Sequence, residues 1–102
     1  FPNHAIVSSA KGAIEGLTLA LAAELAPNVR VNCIAPSLTN SKISNFLLKN
    51  EKMAESIAKM HPLKRIGEGR DSASIAKFLL SDESSWITGQ IFGVDGGRSS
   101  VA

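Results

Sequence analysis

Residues 3–26, NHAIVSSAKGAIEGLTLALAAELA, run for 24 positions without a proline and stop against Pro27. This stretch predicts one long helix. Asn3 supplies an N-cap, because its side-chain oxygen accepts from a free backbone N–H of the first turn, and Pro27 disfavours helical geometry at Ala26. Ile14, Leu17, Leu21 and Leu25 recur at spacings of three and four and form an apolar stripe. Ala10, Gly12, Ala13, Gly16 and Ala20 make a second, flatter face that admits close approach of another backbone. A helix with two faces to cover is expected between a sheet and a further layer, as in α/β proteins. Lys11 stands in this small and apolar surface one turn before Glu15, and spacing alone reads the two as an intrahelical ion pair of about 0.2–0.5 kcal/mol.

The remainder reads as packing for that helix. Residues 29–35 (VRVNCIA) are rich in β-branched side chains and predict a buried strand, joined to the helix by a short link. Pro36 and Ser37 end it, and Leu38-Thr39-Asn40-Ser41 forms a polar turn at its carboxyl end, where open α/β sheets bind ligands. Residues 42–49 and 51–60 predict two short amphipathic helices broken at Asn50. Ile43, Phe46, Leu47, Met53, Ile57 and Met60 form their apolar sides, an adaptable lid over a small-molecule pocket or ordinary packing. A loop over 64–69 follows, then Asp71 as cap of a helix over 72–80 with Ile75, Phe78 and Leu79 inward. Next come a polar turn that sets Trp86 and Ile87 against the core, and a last strand over 90–94 closed by Asp95-Gly96-Gly97. Helix, strand, lid, helix and strand imply a parallel sheet with right-handed crossovers. Two strands alone do not make a stable doubly wound sheet, so further strands are expected from sequence outside this chain.

Composition removes several functions from consideration. The chain has 102 residues, 44% hydrophobic and 20% charged, with 11 basic and 9 acidic side chains scattered along it. That is ordinary for one globular domain, and no basic cluster points to nucleic acid or an anionic membrane surface. No apolar run approaches the roughly 20 residues of a membrane span, and no leader is visible, so a cytoplasmic location is expected. Cys33, the single cysteine, reads as a buried structural thiol. Two isolated histidines make no metal site, and no CxxC, HExxH or GxSxG spacing occurs. The opening residue is Phe rather than Met, consistent with a piece of something longer.

Four segments in order, SSAKGAIEGLTLALAAELA, VRVNCIAPS, PLKRIGEGRDSASIAKFLLSD and ITGQIFGVDGG, resemble the C-terminal half of the short-chain dehydrogenase/reductase family. The likeness spans nearly the whole chain. It implies that residues 1–102 are the C-terminal half of a single Rossmann-like, doubly wound NAD(P)-binding domain, with residues 41–62 as its lid. It also implies a nicotinamide cofactor, NAD or NADP, a small carbonyl or alcohol substrate, and a homodimer or homotetramer. In the family's Tyr-x-x-x-Lys motif the lysine matches Lys11, which implies catalytic and ribose-binding roles for it, while Val7 occupies the tyrosine's place. In the family that lysine lowers the tyrosine pKa, and the tyrosine moves the proton as hydride passes between nicotinamide and carbonyl carbon. Valine has no proton to give. His4, Ser8 and Ser9 are the nearby alternatives, each explained more simply by capping or hydrogen bonding to the helix. After the first strand the family usually has Pro-Gly and then a Thr; here Pro36-Ser37 leads to Thr39 and Ser41. The match implies that Thr39 meets the nicotinamide carboxamide through its backbone and that Ser41 replaces the threonine, so that Lys11, Pro36, Ser37, Thr39 and Ser41 form the cofactor site. The alternative is a catalytically silent module that binds a dinucleotide or only oligomerises.

Overall fold

The structure is a computed structural model that describes residues 4–101. Its elements in order are α1 (His4–Leu25), β1 (Cys33–Pro36), α2 (Asn45–Leu48), α3 (Glu51–Lys59), α4 (Gly69–Leu79), a 3-10 turn (Asp82–Ser84), β2 (Ile91–Val94) and α5 (Arg98–Val101). The expected N-cap, Asn3, lies outside the described residues. β1 and β2 pair in parallel with Cys33 opposite Ile91 and Pro36 opposite Val94, which makes the chain α/β as its order of elements predicts. Ile34 lies beside Ala76 and Leu79 of α4, and Ala35 opens onto a cleft shared with Lys11 of α1. Successive residues of a strand point to opposite faces, so helices flank the sheet on both sides.

The inner end of this sheet hangs on Arg30. Its guanidinium donates to Ser84 Oγ at 2.9 Å, to the carbonyls of Leu79 at 3.0 Å and Ser81 at 3.1 Å, and to that of Ile87 at 3.2 Å. Leu79 ends α4, where backbone carbonyls lack intrahelical partners, and a planar cation with five N–H groups suits them. Asn32 adds a bond from its amide nitrogen to the Ile87 carbonyl at 3.1 Å and accepts from the Gln90 N–H at 3.1 Å. Two side chains from the first strand region thereby fix where the second strand begins.

Several expectations are corrected here. The α1 stripe does not cover the sheet: Ile14 and Leu17 are each 56% exposed, Leu25 is exposed, and the buried residues of α1 are Thr18 and Ala22. Strands of four residues meet little of a 22-residue helix, and small side chains win the contact because the backbone at Gly89 comes close. A Cβ built at Gly89 stands 3.5 Å from that of Ala22, and the Thr18 hydroxyl is satisfied by the Ile14 carbonyl at 2.8 Å. Gly12, Gly16 and Ala20 are exposed as well. The Cα radius of gyration, 15.5 Å, exceeds the ~13 Å of a compact chain this long, in keeping with apolar faces left uncovered. By length and composition α1 does reach what a membrane crossing requires, contrary to the reading of the sequence. Lys11 and Glu15 near its middle and its docking through Thr18 and Ala22 fit a helix of the α/β layers better.

Trp86 is 98% exposed rather than packed on the core; Ser84, fully buried, takes the inward place because its hydroxyl serves Arg30 and the Leu79 and Ser81 carbonyls. Phe78 is exposed, whereas Leu79 is buried and Ile75 half-buried. Asp71 sits in the first turn of α4 rather than at its cap, which is Glu68. The two strands are shorter than expected, and Cys33 is half-buried in β1. Asn50 caps α3 instead of only breaking the chain, accepting from the Met53 N–H at 3.2 Å. Finally, Lys11 and Glu15 form no ion pair; among the described residues the one ion pair within 4.0 Å joins Arg65 to Asp71.

The Arg30 arrangement predicts that Arg30→Ala, which removes one donor each from the Leu79, Ser81 and Ile87 carbonyls and the Ser84 hydroxyl, costs about 2–3 kcal/mol in urea unfolding of the intact protein. Lysine at this position should recover little, since one ammonium cannot serve four acceptors in a planar fork. A midpoint unchanged by Arg30→Ala would contradict the arrangement.

Candidate functional site

Parallel pairing brings the carboxyl ends of β1 and β2 out side by side. The Ser37 N–H still bonds the Val94 carbonyl at 3.3 Å, after which the two chains separate. The second enters the turn Asp95-Gly96-Gly97. Gly97 has φ 87°, and a Cβ there would meet Val101 Cγ2 at 2.8 Å and Pro62 Cγ at 3.2 Å. Only glycine fits that position. The Asp95 carboxylate closes the turn by accepting from the N–H groups of Gly97 at 2.9 Å and Ser99 at 3.2 Å and from the Ser99 hydroxyl. Those donors, the hydroxyl first, hold its pKa below the ordinary carboxylate value.

Between these ends and α1 opens a cleft of about 1020 Å³. Lys11 lines it from α1, Pro36 and Ser37 from the end of β1, and Thr39 and Ser41 from the turn beyond. All five residues expected at a cofactor site therefore share one cavity. Ala35, Leu38 and Ile43 supply apolar wall, and Ser44, Asp95, Arg98 and Ser99 complete it. Val7, one turn before Lys11, is half-buried, and His4, Ser8 and Ser9 are exposed and do not line the cleft.

The turn after β1 is rigidly held. Thr39 forms a parallel bridge with Gly67 through Asn40 N–H to the Gly67 carbonyl at 2.8 Å and Gly67 N–H to the Leu38 carbonyl at 3.0 Å. In such a bridge the N–H and C=O of Thr39 itself point away from Gly67. The carbonyl accepts the Ser44 hydroxyl at 2.6 Å, and the N–H makes no hydrogen bond among the described residues. The Thr39 hydroxyl donates to the Ser37 carbonyl at 3.0 Å. Ser41 is tied to Ser44: its N–H donates to Ser44 Oγ at 3.0 Å, and the two hydroxyls stand 3.2 Å apart.

Two buried side chains missed in the sequence organise this turn, and both belong to the segment over it. Ser44 anchors the start of α2 on Thr39 and Ser41. His61, 2% exposed, anchors the end of α3. Its Nδ1 is 2.8 Å from the Ile57 carbonyl and its Nε2 is 2.8 Å from Ser37 Oγ. A carbonyl only accepts, so Nδ1 carries the proton, and in the neutral ring Nε2 accepts from Ser37. The segment with Phe46, Met53 and Met60 thus hangs from the cleft turn at both ends while those three side chains remain exposed. No spacing rule reveals a lone histidine before Pro62 as an anchor; Ser41-Lys42-Ile43-Ser44 ahead of an apolar run is the one signal the sequence offers.

Behind the same turn lies a second pocket of about 370 Å³, shared by Ser37, His61, Arg65, Gly67, Asp71 and the Asp95 turn. Arg65 grips Asp71 with both terminal nitrogens, at 2.8 and 2.9 Å, and the Glu68 N–H donates to the same carboxylate at 2.7 Å. The guanidinium, then the Glu68 N–H, hold the Asp71 carboxyl far below the ordinary range, and Asp71 in turn raises Arg65. Among the described residues no cluster of His, Cys, Asp or Glu is arranged to hold a metal ion.

A family model described as enoyl-(acyl carrier protein) reductase matches residues 1–99. Tropinone reductase-like 3 of Erythroxylum coca is 44% identical over 98 residues, covering 96% of this chain and 38% of the relative. The human dehydrogenase/reductase SDR family member 4 is 41% identical over 100 residues, covering 97% and 36%. The crystal structure of a gluconate 5-dehydrogenase from Burkholderia cenocepacia, in complex with NADP and tartrate, superposes with a TM-score of 0.85 at 28% identity, covering 92% of this chain and 37% of that one. The chain thus spans little more than a third of the length of the curated relatives it matches.

Asp71 also yields a pH dependence. Its folded pKa lies below the unfolded value of about 3.9, so its contribution is complete above that value and is lost as pH falls through the folded one. Acid unfolding of the intact protein should accordingly be less steep below about pH 4 for Asp71→Asn than for the parent. Equal slopes would show that the Arg65–Asp71 pair is no tighter in the folded state.

Proposed function

The chain belongs to the short-chain dehydrogenase/reductase family, and on that premise we propose that the intact protein moves hydride between NAD or NADP and a small carbonyl or alcohol. The observation that carries the proposal is the convergence of Lys11, Pro36, Ser37, Thr39 and Ser41 on one cleft at the carboxyl ends of two parallel strands. The residues fit a nicotinamide ribose and carboxamide. Lys11 presents an ammonium that makes no ion pair or hydrogen bond with a described residue, suited to ribose hydroxyls. Thr39 offers an unengaged N–H beside its carbonyl, the donor and acceptor that a carboxamide needs. Ser37 and Ser41 act on the turn more than on the cofactor, since their hydroxyls are already engaged with His61 and Ser44. NADP stands in the related gluconate 5-dehydrogenase structure; the choice between NAD and NADP depends on a residue near the ribose 2′ position. The cofactor would donate hydride to a carbonyl or accept it from an alcohol, and the cleft residues would hold and orient it.

Residues 41–62, suspended from Ser44 and His61, form the lid in this proposal, and their exposed Ile43, Phe46, Met53 and Met60 face the substrate or a partner. The uncovered faces of α1 support a homodimer or homotetramer in this reading, which also takes the protein to be cytoplasmic.

Val7 supports a second reading, a module that binds the dinucleotide without turning over. It stands one helical turn from Lys11, where a proton donor would act, and it has no proton to donate. Cofactor affinity measured beside hydride transfer over a carbonyl panel separates the two.

Lys11→Ala should raise the NAD(P) dissociation constant of the intact protein about tenfold, by calorimetry; an unchanged constant returns Lys11 to a structural role. Val7→Tyr should raise hydride transfer to carbonyls by a factor on the order of 10²–10⁴. A folded, cofactor-bound Val7→Tyr variant with no gain would mean that more than one catalytic group differs.

A further inference from the structure

The cleft holds two cationic side chains, Lys11 and Arg98, and one carboxylate, Asp95. Asp95 is already engaged with the Gly97 and Ser99 N–H groups and the Ser99 hydroxyl. It closes its own turn and pairs with neither cation. Arg98 is placed by its backbone N–H, which donates to the Asp95 carbonyl at 3.1 Å, yet its guanidinium makes no hydrogen bond or ion pair with a described residue. Arg30 and Arg65 differ, each engaged by several acceptors. The cleft is therefore lined by two cationic side chains against one carboxylate that is already engaged.

We propose that Arg98 receives a carboxylate of the substrate, so that the cleft takes hydroxy acids or keto acids. The inference rests on the cleft being the substrate and cofactor site, with Lys11 assigned to the ribose and Arg98 left for the substrate. A guanidinium matches a carboxylate with two parallel N–H···O bonds, which a lysine in that place does not reproduce.

Malate and its uncharged diamide, malamide, titrated calorimetrically into the intact protein with and without saturating NAD⁺ or NADP⁺, test this. The parent should bind malate at least about tenfold more tightly than malamide. Arg98→Ala should remove that preference without changing malamide binding or cofactor affinity, and Arg98→Lys should restore only part of it. Malate binding unaltered by Arg98→Ala, an equal loss for malate and malamide, or a parent that binds malate no better than malamide overturns the assignment. Failure of NAD⁺ and NADP⁺ to bind counts against the cofactor reading instead, and the cofactor-free titration still decides the role of Arg98.

Discussion

Eight residues in two parallel strands set the position of everything functional in this chain. Their register places Pro36 beside Val94, so the turn that carries Ser37 to Ser41 and the turn made by Asp95, Gly96 and Gly97 leave the sheet at one point. A ladder this short is not self-sufficient. Arg30 and Asn32 reinforce it at the opposite end by binding the carbonyls and N–H groups that lead into β2. Gly97 allows the outgoing chain to double back against Pro62 and Val101, where any side chain would collide. The cleft is a consequence of these packing and hydrogen-bond constraints before it is a binding site.

Over that point the segment from α2 to α3 is held by buried polar groups rather than by a hydrophobic seam. Ser44 binds the Thr39 carbonyl, and His61 joins the Ile57 carbonyl to the Ser37 hydroxyl. Directional bonds at both ends fix where the segment attaches while its apolar side chains stay free to adapt. That division suits a cover that must meet a ligand, since methionine and phenylalanine can repack without releasing the anchors. Both anchors reach the turn that carries the unengaged Thr39 N–H.

The order of elements and the parallel pairing were legible in the sequence because each depends on local pattern, whereas Lys11, Pro36, Ser37, Thr39 and Ser41 were singled out by the family likeness. Pro27 and Pro36 punctuate, the β-branched run 29–35 leads into a strand that forms only from Cys33, and the Lys11 helix and the Pro36-Ser37 turn carry a family likeness. What escaped were properties that depend on which surfaces meet. The stripe Ile14, Leu17, Leu21 and Leu25 reads as a core face, but a two-stranded sheet meets α1 only where Thr18 and Ala22 let it come close. Trp86 reads as core by size, yet the turn before it turns Ser84 inward to meet Arg30. Ser44 and His61 escaped because a single polar residue shows its burial only when the chain has folded around it. Asp71 read as the cap and so set the start of α4 three residues too late; Glu68 is the cap, and the Asp71 side chain instead takes the Arg65 guanidinium and the Glu68 N–H.

In the proposed function Lys11 and the turn after β1 form the nicotinamide end of a dinucleotide site. A crystal structure of the intact protein with NAD or NADP bound tests it most directly. Lys11 Nζ is expected within about 3.2 Å of a nicotinamide ribose hydroxyl, with the carboxamide in contact with the Thr39 backbone. A nicotinamide bound elsewhere, with Lys11 turned away from the ribose, would contradict it.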